Sequence, residues 1–460
     1  MNSYNHRTSI VKLAIFMVAS LLGSCQEFVE IDPPTTEITE QSVFNENATA
    51  RSAIAGLYSK LMENEYNFTS GINSITTLSG LSADEFVNSS TNSSGTPFYN
   101  NSLTGNETGT IWSNLYKTIY MSNAILEGVK GSTQLSTETS NQIQGEALFI
   151  RAWCHFYLVN LFGDVPVVIS TDYRINNVIS RSSTEEVYAR IIEDLKLAQT
   201  LLPKDYTVTN GERTTPTFWA ATSLLSRVYL YTREWVMAES AASQVISHNE
   251  FNLEPLNNVF LNSSKEAIWQ LKPVFPGVNT YDGATYILTT SPKVVSLADA
   301  VSNDFEAGDL RTTNWIGAIS ANGNTFYFPN KYKVKSGSIV SEYLMVFRLA
   351  EQYLIRAEAR ANLNKLTEAA EDINVIRQRA GLGVTSAVSQ GDILKSVEQE
   401  RRVELFCEWG HRWFDLKRTE RINVVLGAYK SNWQETDSLF PLPIAELNRN
   451  PNLLPQNPGY

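Results

Sequence analysis

Cysteine is scarce: Cys25, Cys154 and Cys407 are the only three among 460 residues. So few cannot make a disulfide framework, and none of their spacings is that of a metal-binding motif. Cys154 and Cys407 lie in apolar, helix-patterned surroundings and read as buried free thiols, with a disulfide between them as the alternative. Positive charge is also short. Lys and Arg number 37 against 48 Asp and Glu, for a net charge of −11. That excludes nucleic acid and anionic membrane surfaces as main partners, because both require a basic footprint. There is no Gly-rich phosphate loop, no Gly-x-Ser-x-Gly elbow and no nucleophile set beside a base. No cofactor and no metal are expected. Beyond residue 24 no apolar run is long enough to cross a bilayer as a helix.

The first segment carries an address. His6, Arg7 and Lys12 precede an apolar run over 13–22, too short to span a membrane and right for the core of a signal peptide. It ends in Leu22-Gly23-Ser24-Cys25, which resembles a bacterial lipoprotein signal. Cleavage before Cys25 and its lipidation are expected. Several acyl chains would then hold a water-soluble body, each buried methylene adding about 0.8 kcal/mol. Gln26 follows the cysteine, where Asp often marks inner-membrane retention, so delivery to the outer membrane is expected.

Helical periodicity recurs over 47–63, 111–128, 138–162, 184–202, 217–231, 235–248, 343–363, 366–380 and 390–407. Residues 64–109 are polar, rich in Ser, Thr, Asn and Gly, and read as a long loop with isolated aromatics at Tyr66, Phe68, Phe86, Phe98 and Tyr99. Between 251 and 339, Pro, Gly, Tyr and Asn dominate, with short strand-like runs at 267–271 and 326–328. Leu225, Ser226, Tyr229, Trp235, Ala238 and Val245 fall at tetratricopeptide-like offsets, and Arg356, Ala357, Arg360, Leu366, Ala369 and Ile376 repeat those offsets 131 residues later. The expected fold is mostly α, a tetratricopeptide-like helix-pair scaffold with an irregular, loop-rich portion. The expected divisions are a signal peptide at 1–24, a tether at 25–46, a helical region at 47–250 containing the loop 64–110, an irregular segment at 251–340, and helices with an extended tail at 341–460.

Three groups of residues together resemble the SusD/RagB family. The first is Ile31-Asp32-Pro33-Pro34, Phe44-Asn45 and Ala55-Gly56-Leu57-Tyr58. The second is Tyr353-Leu354-Ile355-Arg356-Ala357-Glu358-Ala359 with Ile373-Asn374-Val375-Ile376-Arg377-Gln378-Arg379-Ala380-Gly381. The third is Glu400-Arg401-Arg402-Val403-Glu404-Leu405-Phe406 through Gly410-His411-Arg412-Trp413-Phe414-Asp415-Leu416-Lys417-Arg418, and the chain closes on Phe440-Pro441-Leu442-Pro443 and Gln456-Asn457-Pro458-Gly459-Tyr460. The resemblance implies a surface lipoprotein of Bacteroidetes with four tetratricopeptide-like helix pairs. It also implies a TonB-dependent, SusC-like outer-membrane barrel as partner, and capture of oligosaccharide or peptide for import. No binding residue carries over, because family ligand sites differ.

The cluster Glu404, Glu408, His411, Arg412 and Asp415 invites a metal or catalytic reading. The interleaved Phe406, Trp409, Trp413 and Phe414 favour ion pairs that tie down the C-terminal helices. Arg401, Arg402, Glu400 and Glu404 read as a solvated helix face. Asp84-Glu85 and Asp304/Glu306 offer paired carboxylates, which glycoside hydrolysis requires at a defined separation across the scissile bond. Sugar capture instead calls for aromatic rings against C–H faces and amides or charges on hydroxyls, each stack contributing about 1 kcal/mol. The candidates on irregular segments are Phe98, Tyr99, Tyr281, Tyr286, Trp315 and Tyr327, with Asn100 and Asn101 as polar partners. The leading expectation is a non-enzymatic, glycan-capturing surface lipoprotein. The rivals are the same architecture serving peptides, a scaffold lipoprotein that holds partners, and a surface glycoside hydrolase.

Overall fold

The structure is a computed structural model that describes residues 43–90 and 94–460. The signal peptide, Cys25 and nearly all of the tether lie outside the described residues. One compact unit runs Phe44–Tyr460.

Numbering the longer helices in chain order, α1 is Asn47–Leu61, α2 Ile75–Ser82, α3 Gly109–Gly131, α4 Thr137–Phe162, α5 Thr184–Leu201 and α6 Phe218–Tyr231. Then follow α7 Trp235–Ile246, α8 Leu349–Asn362, α9 Leu366–Arg379, α10 Gln390–Glu404, α11 His411–Arg418 and α12 Ile422–Tyr429. Helix α1 buries Ala50, Ile54, Leu57 and Leu61, one stripe at helical spacing. Helix α5 opens on a capping box: the Ser183 side chain accepts the Glu186 N–H, and Glu186 accepts the Ser183 N–H. Helix α4 is buried on almost every side and stops at Gly163, whose φ of 74° is left-handed.

From α3 to α10, consecutive helices pack on one another, so the scaffold is a continuous stack. Phe218 and Leu349 open α6 and α8, and Trp235 and Leu366 open α7 and α9, at the constant offset of 131 residues that the sequence repeat had. Ala238 and Ala369 are both fully buried, and their lack of side-chain bulk permits close helix contact. Ala369 packs with Ala357, Ala361, Ile373, Ile393 and Val397 in one apolar cluster joining α8, α9 and α10.

Three two-stranded antiparallel sheets complete the described fold. Strand β1 (Phe86–Asn88) pairs with β3 (Val295–Leu297), β2 (Ala267–Leu271) with β6 (Leu344–Arg348), and β4 (Ile316–Ala321) with β5 (Asn324–Pro329). The last pair turns on Asn322-Gly323, both at positive φ, as a tight hairpin demands. The Trp153 ring of α4 lies 5.4 Å from Phe68, 5.1 Å from Trp269 and 5.2 Å from Trp409, so one aromatic hub joins the early segment, β2 and the C-terminal region. Cys154 and Cys407 are buried and unpaired.

Three expectations are corrected. The loop expected over 64–110 contains α2, all eight residues of which are buried. Its Ser and Thr side chains do not seek water. Thr77 Oγ1 donates to the Gly71 carbonyl at 2.6 Å, and the Ser74 side chain caps the helix. The helix expected from 343 starts at Leu349, because Leu344–Arg348 is strand β6; an apolar run adjoining a helix has no periodicity that separates the two. The tail expected to be extended from Phe440 holds a short helix, Ile444–Arg449.

Candidate functional site

The irregular segment is anchored by charge. Arg348, at the end of β6, bonds Glu266, Glu404 and Glu408. Arg311 bonds Asp309 at 2.7 Å, Glu400 at 2.9 Å and Glu404 at 3.1 Å. Arg379 reaches Glu266 and Glu404, and Lys331 reaches Glu408. Burial alone would raise the Glu404 pKa, but Arg379, Arg348 and Arg311 outweigh it and hold the carboxyl far below its usual range. Glu400, Arg401, Arg402 and Glu404 are therefore buried ion-pair partners, not the solvated face expected of them. A helix that is polar on the face it buries cannot be recognised from its own residues when its counter-ions come from far along the chain.

The C-terminal cluster is structural in the same way. Asp415 holds Arg401 at 2.7 Å and Arg418 at 2.8 Å. His411 is buried, and desolvation followed by the surrounding arginines pushes its pKa well below the usual value, leaving it a neutral ring. Asp84 takes both Arg412 nitrogens, at 2.9 and 2.7 Å, and Arg402 at 3.1 Å. Burial pushes its pKa up, yet the two arginines outweigh this and keep it ionised. Asp304 bonds Arg402 and Glu306 bonds Arg377. Glu85, beside Asp84, is different: burial outweighs Arg402 and raises its pKa, but it is 1 % exposed and accepts the Cys407 N–H at 3.0 Å.

On this base stands an open face built from residues 64–73, 284–295 and the β4–β5 hairpin. Asp282 Oδ1 accepts the Gly71 N–H at 2.9 Å, which fixes the early segment to the helix Tyr281–Tyr286. Pairing of β1 with β3, extended by Ser89 N–H to the Val294 carbonyl at 2.8 Å, sets the next stretch alongside. Asn322 at the hairpin tip donates to Ser291 Oγ at 3.2 Å. Lys335 Nζ donates to the carbonyls of Ala284 (2.8 Å) and Ile287 (2.7 Å) and closes the floor. The cleft so formed holds about 420 Å³, and Glu65, Tyr66, Thr285, Thr290, Ser291 and Lys293 are among its walls.

Tyr66 is 55 % exposed. The neighbouring Glu65 carboxylate holds its phenol above the ordinary pKa. Tyr281, half-buried, reaches the Glu63 carbonyl at 3.4 Å; burial first and the Glu65 charge second raise its pKa. Two tyrosines therefore stand about one carboxylate at the edge of a polar cleft. This is what a pyranose needs: flat rings for its C–H faces, and Glu, Lys and Thr groups for its hydroxyls.

The sequence-derived candidates divide. Trp315 is 0 % exposed and spends its indole N–H on the Leu256 carbonyl. Phe98 packs edge-on against Phe440 at 5.3 Å, and the buried Tyr286 hydroxyl shares a 2.7 Å bond with Thr77 Oγ1. These three are core residues, since no sugar reaches a ring without exposed surface. Asn101 is also buried, its amide donating to the Ser82 carbonyl. Tyr99 is capped by the Lys430 ammonium 4.1 Å from its ring centroid, which turns it toward the C-terminal region. Asn100 is exposed, and Tyr327 is 36 % exposed on β5. Of the candidates, Tyr281 alone comes near the cleft, through Glu65 and the Glu63 carbonyl, without lining it. Tyr66 and Glu65 were not singled out; the one available signal was a tyrosine alone in a polar stretch.

Comparison with known proteins places this geometry. A family model described as "Starch-binding associating with outer membrane" matches residues 27–230, and one described as "SusD family" matches residues 303–460. The chain belongs to the SusD/RagB family. The SusD-like protein P25 of Formosa agariphila is 26% identical over 97% of this chain and 98% of its own length. A SusD superfamily structure from Bacteroides vulgatus superposes with a TM-score of 0.78 at 21% identity, covering 91% of this chain and all (100%) of its own. A structure described as a laminarin-binding SusD-like protein has a TM-score of 0.73 at 22% identity, covering 90% of this chain and 100% of its own. The mostly helical SusD fold is thus shared across nearly the whole chain. The SusD family is associated with the outer membrane, and no helix among the described residues is long and apolar enough to cross a bilayer.

Proposed function

We propose that this protein captures oligosaccharide at the cell surface, without cleaving it, and delivers it to a TonB-dependent SusC-like barrel in the outer membrane. Lipid on Cys25 anchors it there. The observation that carries the glycan reading is the open cleft lined by Tyr66, Glu65 and Lys293, with Tyr281 near Glu65, in a family with a starch-binding member description and a laminarin-binding structural neighbour. Stacking contacts of this kind are individually modest, which suits capture followed by release. The non-catalytic reading is supported by Asp84, Asp304 and Glu306 being tied to arginine and by Glu85 being buried against the Cys407 N–H. Tyr66, Tyr281, Glu65 and Lys293 are the residues assigned to the ligand.

Affinity electrophoresis through gels carrying a panel of polysaccharides tests this. Retardation by at least one glycan, with no release of reducing ends, is the expected result. Absence of retardation across the panel, together with binding of peptides, would overturn the glycan assignment. Released reducing ends would overturn the non-catalytic one. Co-purification of a TonB-dependent barrel from detergent-solubilised outer membranes tests the partner.

A further inference from the structure

A second cleft, of about 430 Å³, opens on the helical scaffold, where the end of α4, the start of α5 and helix α11 meet the C-terminal tail. Asn160, Asp164, Arg181, Tyr188, Tyr231 and Lys417 are in its walls. It shares no residue with the cleft at Tyr66. Its charges are unusual for a chain of net charge −11. Lys417 Nζ donates to the Asn160 carbonyl and has no carboxylate partner among the described residues. Arg181 spends its guanidinium on three neutral oxygens: the Asp164 carbonyl at 2.8 Å, the Pro455 carbonyl at 2.7 Å and Asn457 Oδ1 at 2.6 Å. Only Arg418 is neutralised, by Glu358 and Asp415.

The one acid in the wall, Asp164, offsets part of the Arg181 charge but not that of Lys417. Asp164 Oδ1 accepts the Thr184 N–H at 2.9 Å and its hydroxyl at 3.0 Å, which commits it to the start of α5. The Tyr188 hydroxyl donates to Asn160 Oδ1 at 3.0 Å, whereas the Tyr231 hydroxyl is buried with no hydrogen-bond partner among the described residues. Protein crowding around the Lys417 ammonium, with no opposing charge near it, pushes its pKa down to about 7. A desolvated cation without a counter-ion is costly, and a charge-assisted hydrogen bond to an anion relieves that cost. Here the cation faces a cleft that an anion can enter.

We propose that this cleft is a second binding site, and that it takes a carboxylate-bearing ligand whose carboxylate is received by Lys417, with Arg181 in the same wall. Asp164 in the wall disfavours a dianion, so the site suits a single carboxylate better than a phosphate monoester. The volume accommodates one or two residues of a polymer. A uronic acid and an acidic amino acid offer the same chemistry. The charged and titratable groups that line the same cleft are Arg418 on its own helix, Arg181 and Asp164 from the 163–184 stretch, and the Tyr188 and Tyr231 hydroxyls from α5 and α6, and burial rather than any of these charges sets the Lys417 shift. The arginines keep their charge at any pH used here, so loss of the Lys417 proton is the event that weakens binding.

Calorimetric titration of the full chain with D-galacturonate and N-acetyl-L-glutamate, against D-galactose and N-acetyl-L-glutamine, tests the site. At about pH 6 at least one acid binds and its neutral counterpart does not. Affinity falls about tenfold toward pH 9, and Lys417→Met lowers it about tenfold at pH 6 while Lys417→Arg retains it. Binding of galacturonate alone identifies a uronate-reading site, and binding of N-acetylglutamate alone an acidic-peptide one. Binding of neither acid, or equal binding by the Lys417→Met protein, overturns the proposal. If that variant does not fold, the wild-type pH profile decides, because pH-independent binding also overturns it. Retardation of Lys417→Met in polysaccharide gels stays at the wild-type level, which separates failure here from failure of the glycan reading.

Discussion

The stack α6–α9 and the irregular stretch 251–340 are held by the same forces in different proportion. The stack is held first by apolar packing around small residues, with Ala357, Ala361 and Ala369 in a single cluster, and then by a few ion pairs of its own, Arg227 with Glu351 and both Arg356 and Arg360 with Asp372. The irregular stretch is held by buried ion pairs in which Glu266, Arg311 and Lys331 find partners on β6, α9, α10 and the segment before α11. Apolar packing is local and repeats, so it leaves a periodic record. An ion pair between residues a hundred positions apart leaves none. The first region tolerates gradual change in volume, whereas the second fails at once if one charge loses its partners.

The largest expected effect breaks the second region. Glu404→Ala leaves Arg348, Arg311 and Arg379 short of a buried counter-ion and lowers stability by about 3–5 kcal/mol in denaturant titration. A loss no larger than that of a surface substitution would show that the charges are not what holds the irregular stretch. Acid should act through the same groups. The folded-state pKa of Glu404 is depressed, so its contribution is present above the unfolded value of about 4.3 and fades as pH falls below it.

Glu146 provides a control of opposite sign. It is buried between α1 and α4, where the Tyr58 hydroxyl donates to it at 2.5 Å and Gln142 at 2.8 Å. Burial outweighs those bonds and raises its pKa to about 7. A raised carboxyl pKa favours the folded state at low pH, and that contribution is lost as pH climbs from about 4.3 toward 7. Glu146→Gln should remove up to about 3 kcal/mol of this dependence, read as a flatter stability profile between about pH 5 and 8. An unchanged profile would contradict the burial argument.

In the first region the expected change is smaller. Ala369→Leu overpacks the α8–α9–α10 cluster and costs about 1–3 kcal/mol, measured by thermal unfolding. The smallest effect is on binding alone: Tyr66→Ala, and separately Tyr281→Ala, should weaken glycan retardation about fivefold with no change in melting. Full retention in both would move the ligand away from this cleft.

The sequence repeat at 131 residues and the helices of the stack, except the start of α8, were legible because each helix writes its buried stripe into its own residues. Helix α2 was not, because a segment buried on all sides by other parts of the chain shows no polar face; Ile75–Ser82 therefore resembled its loop neighbours. The candidate site was the least legible part. Whether an aromatic on an irregular segment stacks on a ligand or fills the core depends on what covers it, and Trp315 and Tyr66 look alike until that is known.

By itself, the sequence determined the fold class, the helical stack and its repeat, and the family through motifs spread along the chain, since all of these are carried by local pattern. Only the tertiary structure decided which charges are buried, which tyrosine faces the cleft, and that Lys417 lacks a counter-ion among the described residues. Those are properties of neighbours distant in sequence, and in this chain the neighbours are chosen by the packing of the whole array.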